Sequence, residues 1–339
     1  MNLSYERIHE QDTGIMLDLW NRNIGALFPL DEQLLRQNVF GLGTARPTEL
    51  TGAYASDTKE LIGMIAYQQQ TAPMGLVPSD PTVGTIRFLI VDFRYRRQGI
   101  GTRLLNDAEN HLRSSGVQSL QLGGELRHFF PGIPSICQAA RDFFRKHGYE
   151  EGGAAYDLIG DLSRTNLHEA IKPKWRTDYE RYVVTEMQQE DEEEVMAFFK
   201  RNFPDRWYEE MSAFLTNVAQ HEHVAILKEK GGSRVIGFSR IHDKTSRFIG
   251  SSIYWRGQLG DDFGGLGPIG LDGEYRKHGL GLFLLYKSLE MLQQRNVKYC
   301  IIDWTVLLDF YGFFNFIPWK EYVLSSKMLT AAREGEHCE

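Results

Sequence analysis

Cysteine is scarce in this chain: three in 339 residues, Cys137, Cys300 and Cys338, scattered and odd in number. Such a set excludes a disulfide framework, and no cysteine or histidine falls at the spacing of a structural metal site, so no metal is expected. The pair His221 and His223 has no further ligand beside it and reads as polar surface. No apolar run approaches the roughly 20 residues that a spanning helix needs, so no membrane partner is expected. Met1–Glu10 is polar and mixed in charge, unlike a targeting segment. Positive charge is not in excess either: 38 Lys and Arg face 45 Asp and Glu, for a net charge of −7. That balance argues against a nucleic-acid partner and is compatible with a cationic acceptor such as an amine. A reducing cytoplasm is the simplest setting, with the chain as monomer or homodimer.

What is present is a repeat. Val91-Asp-Phe-Arg-Tyr-Arg-Arg-Gln-Gly-Ile-Gly101 matches Leu271-Asp-Gly-Glu-Tyr-Arg-Lys-His-Gly-Leu-Gly281, 180 residues on. The same register pairs Leu104, Leu105, Leu112 and Val117 with Leu284, Leu285, Leu292 and Val297. One alignment therefore runs through a strand, a turn, a helix and the next strand, further than a short motif would hold by chance. Upstream, Leu61–Ile65 and Val235–Ser239 each follow a polar turn and predict hairpins. Two helical segments precede each hairpin, about 12–23 and 30–38 in the first half, 190–202 and 207–220 in the second. The expected division is a first domain over 1–165, a linker over 166–177, where periodicity breaks, and a second domain over 178–332.

The repeated turn carries the chemistry. A strand, Thr85–Val91, ends in Tyr95-Arg-Arg-Gln-Gly-Ile-Gly101 and then a helix with Leu104, Leu105, Ala108 and Leu112 on one face. A glycine turn at a helix N-terminus is an anion site, because backbone N–H groups point outward and the helix dipole favours negative charge. Gly99 and Gly101 let a phosphate approach the main chain, and Arg96 and Arg97 add positive charge. Leu104 stands where a dinucleotide fingerprint has its third glycine, and no Gly-Lys-Ser/Thr follows, so neither that motif nor a P-loop is present. The longer pattern, apolar–Tyr-Arg-x-x-Gly-x-Gly followed by Leu-Leu, occurs twice.

This pattern resembles the GNAT superfamily of acyl-CoA N-acyltransferases, over nearly the whole chain, in a tandem arrangement similar to that of mycothiol synthase. The resemblance implies two α/β (α+β) domains, each with a mixed, mostly antiparallel central sheet flanked by helices. It implies acetyl-CoA as co-substrate, its pyrophosphate held by Arg96, Arg97, Gln98, Gly99, Ile100, Gly101 and Thr102. The matching positions of the second half are Arg276, Lys277, His278, Gly279, Leu280, Gly281 and Leu282. The pantetheine arm would pair with backbone near Val91 and Phe93, or Leu271 and Gly273. The implied reaction is acetyl transfer to a primary amine of a small acceptor. A non-catalytic acyl-CoA-binding protein and a protein-lysine or N-terminal acetyltransferase are the alternatives.

A second signature of that family, Phe-Tyr-x-x-x-Gly-Phe, is matched by Phe143–Tyr149 and by Phe310–Phe316. The family's tyrosine protonates the departing thiolate. The second half keeps it as Tyr311; the first has Phe144. Asn315 replaces the glycine in the second half, tolerable because Asn visits left-handed conformations. Phe143 and Phe310 are 167 apart rather than 180, so the first half carries 13 extra residues, in Arg127–Pro134 and beyond. Such an insertion lines an acceptor pocket or covers the neighbouring domain. Candidate bases are Glu125, ending the strand of the first half, and Asp303, inside the matching strand. Asp92 and Asp272 occupy the same place in both copies and read as caps.

Overall fold

The computed structural model describes residues 2–41, 48–70, 80–125, 127–204 and 206–329. Its first half runs β1 (Leu3–Arg7), α1 (Thr13–Ile24), α2 (Glu32–Leu35), β2 (Glu49–Ala55), β3 (Leu61–Gln69), β4 (Val83–Val91), α3 (Ile100–Ser114), β5 (Ser119–Leu122), β6 (Ile133–Pro134), α4 (Gln138–Lys146) and β7 (Glu150–Asp161). The second runs α5 (Leu167–Ile171), β8 (Tyr182–Glu186), α6 (Glu192–Asn202), α7 (Arg206–Asn217), β9 (Val224–Glu229), β10 (Val235–Asp243), β11 (Phe263–Leu271), α8 (Leu280–Gln294), β12 (Tyr299–Thr305), α9 (Leu308–Gly312) and β13 (Ile317–Met328). Both halves hold the expected order, and the expected helix pairs are α1 with α2 and α6 with α7. After α2 the chain continues as a π-helical turn, Arg36–Gly41.

The chain forms two compact units: Met1–Ala155 with Tyr322–Glu339, and Tyr156–Glu321. In unit 1, β1 to β4 form an antiparallel meander, β4 runs parallel to β5, and β5 pairs antiparallel with the end of β13. Unit 2 repeats this with β8 to β11, the parallel partner β12, and the end of β7 in antiparallel pairing with β12. The units therefore divide at Ala155/Tyr156 and Glu321/Tyr322, not at 165 and 178. The reason is hydrogen bonding: Tyr156–Asp161 completes the ladder of β12, and Ser326–Met328 that of β5. The segment expected as a linker is likewise part of unit 2, because Leu167 and Ile171 of α5 are buried in its core.

The cores follow from the pattern. In unit 1, α3 lays Leu104, Leu105, Ala108 and Leu112 against Ile62, Ile65 and Ile86 of the sheet. In unit 2, α8 lays Leu284, Leu285, Leu289 and Leu292 against Ile236, Ile241 and Leu266. Each such leucine contributes about 1.5–3 kcal/mol of burial, which fixes both helix starts against the sheets. Among the described residues no helix is long and apolar enough to cross a membrane.

Candidate active site

Each unit opens its sheet at one point. β4 pairs with β5 only from Val83 to Ile86, leaving Arg87–Val91 without a partner on that side. β11 pairs with β12 only from Phe263 to Gly265 and is free from there to Leu271. A crevice outside the carboxyl ends of parallel strands is a common ligand site. The freed strand then delivers the chain to the glycine turn.

The two turns share one backbone. Arg97 and Gly99 take φ of 62° and 82°; Lys277 and Gly279 take 67° and 80°. Gly99 and Gly279 are the left-handed N-caps of α3 and α8, a conformation that glycine adopts without penalty. The first N–H groups of each helix have no intrahelical acceptor. Arg96 reaches back to the Val91 carbonyl at 3.0 Å, and Arg276 to that of Leu271 at 3.3 Å. Arg96, Arg97, Gln98, Arg276, Lys277 and His278 are exposed, while Ile100 and Leu280 anchor the turns in the cores. Asp92 and Asp272 are caps, accepting from the N–H of Arg94 and Glu274. The Arg94 and Arg22 guanidiniums hold the Asp92 carboxyl well below its usual range. Phe93 N–H is given to Asn23 at 2.8 Å, and Gly273 N–H to Asn202 at 3.2 Å.

The space in front of the turns differs. A Cβ on Gly99 would meet nothing within 4 Å. One on Gly279 would lie 2.6 Å from the Tyr179 hydroxyl and 3.0 Å from Arg176 Cδ. Tyr179 is buried, stacks on Phe283 at 4.8 Å, and donates to the Gly279 carbonyl at 3.0 Å. Trp175 packs edge-on against Tyr179, Phe283 and Tyr286. The strap of chain Trp175–Tyr179 thus packs against Gly279 on the side a Cβ would take, while residues 276–279 themselves stay exposed.

In unit 1 the crevice leads to Glu125, which is 3% exposed. β5 is followed by Gly123 and Gly124, both left-handed, and a Cβ on Gly123 would sit 2.1 Å from the Phe130 carbonyl oxygen. That bend turns Glu125 back to Arg87 of β4, whose Nε donates to Oε1 at 2.8 Å. Arg87 also binds the Thr48 hydroxyl and the Arg127 carbonyl. The other carboxylate oxygen, Oε2, is buried with no hydrogen-bond partner among the described residues, and so is Asn38 Nδ2 on the π-helical turn. The insertion adds two aromatic residues to the buried core of unit 1: Phe130 stacks on Trp20 at 5.7 Å, and Phe129 packs on Phe88.

Unit 2 places Asp303 at its own crevice. Between Ile302 and Thr305 the register of β12 slips against β7, a bulge that re-aims the residues it holds. Asp303 Oδ1 comes 3.1 Å from the Cβ position of Gly267, and Trp304 takes φ of 39°, rare for a bulky side chain. Asp303 keeps some exposed surface, yet the packed protein around it desolvates the carboxyl and raises its pKa, with Ser251 and Arg206 opposing. Tyr311 is 5% exposed and lies in the core of unit 2, its ring 4.9 Å from that of Phe310. Burial, then Asp303 and Cys300, push its hydroxyl pKa up. Asn315 takes φ of 63°, as its glycine counterpart Gly148 takes 84°. The histidines bind within the fold: His221 meets Glu192 at 2.5 Å, and buried His223 meets the Ile241 carbonyl.

Arg87, Asn38, Arg240, Arg176 and Tyr179 were not anticipated from sequence. Arg87 and Arg240 had a signal, a lone guanidinium inside an apolar central strand. The others lie in helices or loops and act through tertiary placement.

A sheet that parts beside a glycine turn, twice in one chain, defines an acyltransferase with two like domains. The profile of the acetyltransferase (GNAT) family matches residues 16–149 and 181–311, most of the chain, and the protein belongs to that family. No curated protein matches it. Among solved structures it is similar to a glucosamine N-acetyltransferase region of a fungal multi-domain GH3 β-N-acetylglucosaminidase (TM-score 0.81, 24% identity, 96% of this chain, 38% of that one). This chain thus spans well under half of that protein. It is also similar to a GCN5-related N-acetyltransferase from Sphaerobacter thermophilus (0.69, 16%, 96% and 95%). A third likeness is to a tandem GNAT protein of the clavulanic acid biosynthesis pathway (0.69, 15%, 98% and 100%).

Proposed function

We propose that the protein moves an acetyl group from acetyl-CoA to the primary amine of a small acceptor, with the donor held by unit 1. The observation that carries this reading is the open turn at Gly99, set beside a parted sheet and a buried carboxylate. Residues 96–102 fit a pyrophosphate: N–H groups without intrahelical partners, two arginines, and no side chain in front of Gly99. Acetyl-CoA supplies an activated thioester. Glu125 binds the acceptor's ammonium through Oε2 and takes its proton, so that the neutral amine attacks the thioester carbonyl. Arg87 orients that carboxylate. The C–N bond forms as the C–S bond breaks, the nitrogen's next proton passes to water, and because Phe144 has no proton to give, the sulfur takes one back from water. Val91 backbone flanks the pantetheine path; Phe93 contributes there only through its carbonyl or side chain.

For unit 2, the strap over Gly279 favours a domain that does not hold the donor. Asp303 and Tyr311 would then belong to an acetyl-transfer site no longer supplied. Amino sugars are the first acceptors to try, because a similar fold carries a glucosamine N-acetyltransferase name. The free cysteines among the described residues, Cys137 and Cys300, agree with a cytoplasmic setting. The test is release of free CoA thiol from acetyl-CoA with glucosamine and a panel of other amines, beside calorimetric titration of acetyl-CoA. Turnover with one donor bound per chain supports the reading. Absence of donor binding by the wild type would overturn it.

A further inference from the structure

Among the described residues of unit 2, one cation lacks the partner that its burial calls for. Arg240 stands near the middle of β10 and is 4% exposed. Its guanidinium lies 3.8 Å from the ring centre of Phe214 and 5.5 Å from that of Phe248. Those faces offset part of its lost hydration. Yet Nε and Nη2 have no hydrogen-bond partner among the described residues. The carboxylate whose charge reaches it, Glu210, is already bound to Arg206 at 2.7 Å. A guanidinium does not escape by losing its proton in ordinary conditions, and an unpaired buried ion is strongly unfavourable.

The two empty donors form a set. Nε and Nη2 are the adjacent pair whose parallel N–H bonds grip both oxygens of a carboxylate. The same protein uses them so elsewhere. Arg141 holds Glu151 through Nε at 2.9 Å and Nη2 at 2.8 Å, and Arg176 holds Asp178 at 3.0 and 3.1 Å. Two further polar atoms nearby are buried and unmet: Nδ1 of His242, two residues along the same face of β10, and Oγ of Ser252. Ser252 lies against Gly265, the residue of β11 paired with His242. Burial keeps His242 neutral, so it adds a hydrogen-bonding group and no second charge.

We infer that Arg240 anchors a second ligand site, in unit 2, for the carboxylate or phosphate group of a small molecule. Phe214 and Phe248 hold the guanidinium plane, and His242 and Ser252 complete the polar lining. The site needs no acetyl-CoA and stands apart from the function proposed for unit 1.

Thermal melting of the full-length chain tests this with three sodium salts at equal ionic strength: chloride, acetate and phosphate. Acetate or phosphate is expected to raise the wild-type Tm by on the order of 2 °C over chloride, and the larger shift names the group. Arg240→Met is expected to remove that shift while melting no lower than wild type in chloride, since an apolar chain replaces an unpaired charge. Arg240→Lys keeps a charge without the fork and is expected to lose most of the shift, which covers the case of a misfolded Met variant. Equal wild-type melting in all three salts, or variants that shift as the wild type does, would overturn the site.

Discussion

The space in front of Gly99 is open, while that in front of Gly279 holds the Tyr179 hydroxyl and the Arg176 side chain. The backbones behind them agree within a few degrees at both left-handed positions. A turn can therefore keep the backbone of an anion site and still have side chains from elsewhere in its unit packed against its glycine. The acceptor side shows a second contrast. Unit 1 meets its crevice with a carboxylate tied to an arginine of the central strand. Unit 2 meets its own with a desolvated Asp303, while Arg240 of its central strand is left without an acid to bind. Duplication kept the scaffold and let the two polar linings diverge.

The largest test of this comparison is binding. Gly99→Glu sets a carboxylate where the pyrophosphate would lie, and is expected to lower acetyl-CoA affinity at least 100-fold in calorimetry. Gly279→Glu is expected to leave affinity within about twofold if unit 1 holds the donor, although it clashes with Tyr179 and lowers Tm. Circular dichroism establishes that both variants fold. The reverse pattern, with Gly279→Glu alone losing the donor, would assign acetyl-CoA to unit 2.

Next in size is chemistry. Glu125→Gln is expected to reduce kcat by about 10²–10⁴ with donor affinity unchanged, the usual range for loss of a general base. A purely structural role for Glu125 would instead show as a lower Tm with kcat preserved. Asp303→Asn is the matched control in the other unit and is expected to leave kcat within about threefold.

Smaller effects are expected at the caps. The Asp92 carboxyl is depressed below its unfolded value, chiefly by Arg94, and that of Asp272 is lowered by its own hydrogen bonds against the effect of burial. A group with a depressed folded pKa adds stability above its unfolded pKa, near 4, and loses it as pH falls toward the folded value. Asp92→Asn is thus expected to cost about 1–3 kcal/mol at pH 7 and less at pH 3. Asp272→Asn is expected to cost less, with the same sign. Denaturant melts at the two pH values measure both, and a cost for Asp92→Asn that grew on acidification would contradict the ion-pair account.

The glycine turns, the helix pairs and the hairpins were legible because each is local. Their signals, left-handed glycines, three-and-four periodicity and polar turns, lie within a few residues of the structure they make. The ends of the units were not legible. Nothing within Glu150–Asp161 says that Glu150–Ala155 belongs to unit 1 while Tyr156–Asp161 completes the ladder of β12, since strand pairing is decided by partners more than a hundred residues away. Glu125 and Asp303 were visible as carboxylates at the right strand. Their surroundings were hidden, because Arg87 reaches one across the sheet and a bulge re-aims the other. The strap against Gly279 was the least visible, since Arg176 lies in the stretch read as linker and Tyr179 at the very start of the second domain expected from sequence.

The smallest expected effect is also the sharpest on which unit works. Tyr311 matches the family's thiolate acid, and its raised pKa keeps it protonated at neutral pH, as a proton donor requires. It also sits in the core of unit 2, edge-on to Phe310, where a phenylalanine would pack almost as well. If transfer occurs on unit 1, Tyr311→Phe removes one buried hydroxyl far along the chain from the reacting atoms. Its kcat is then expected to stay within about threefold of wild type, with Tm nearly unchanged. If transfer occurs on unit 2, losing the proton donor is expected to cost 10²-fold or more at saturating acetyl-CoA, again without a change in Tm. One steady-state comparison therefore separates a packed core tyrosine from a working acid, and with it a covered turn from a used one.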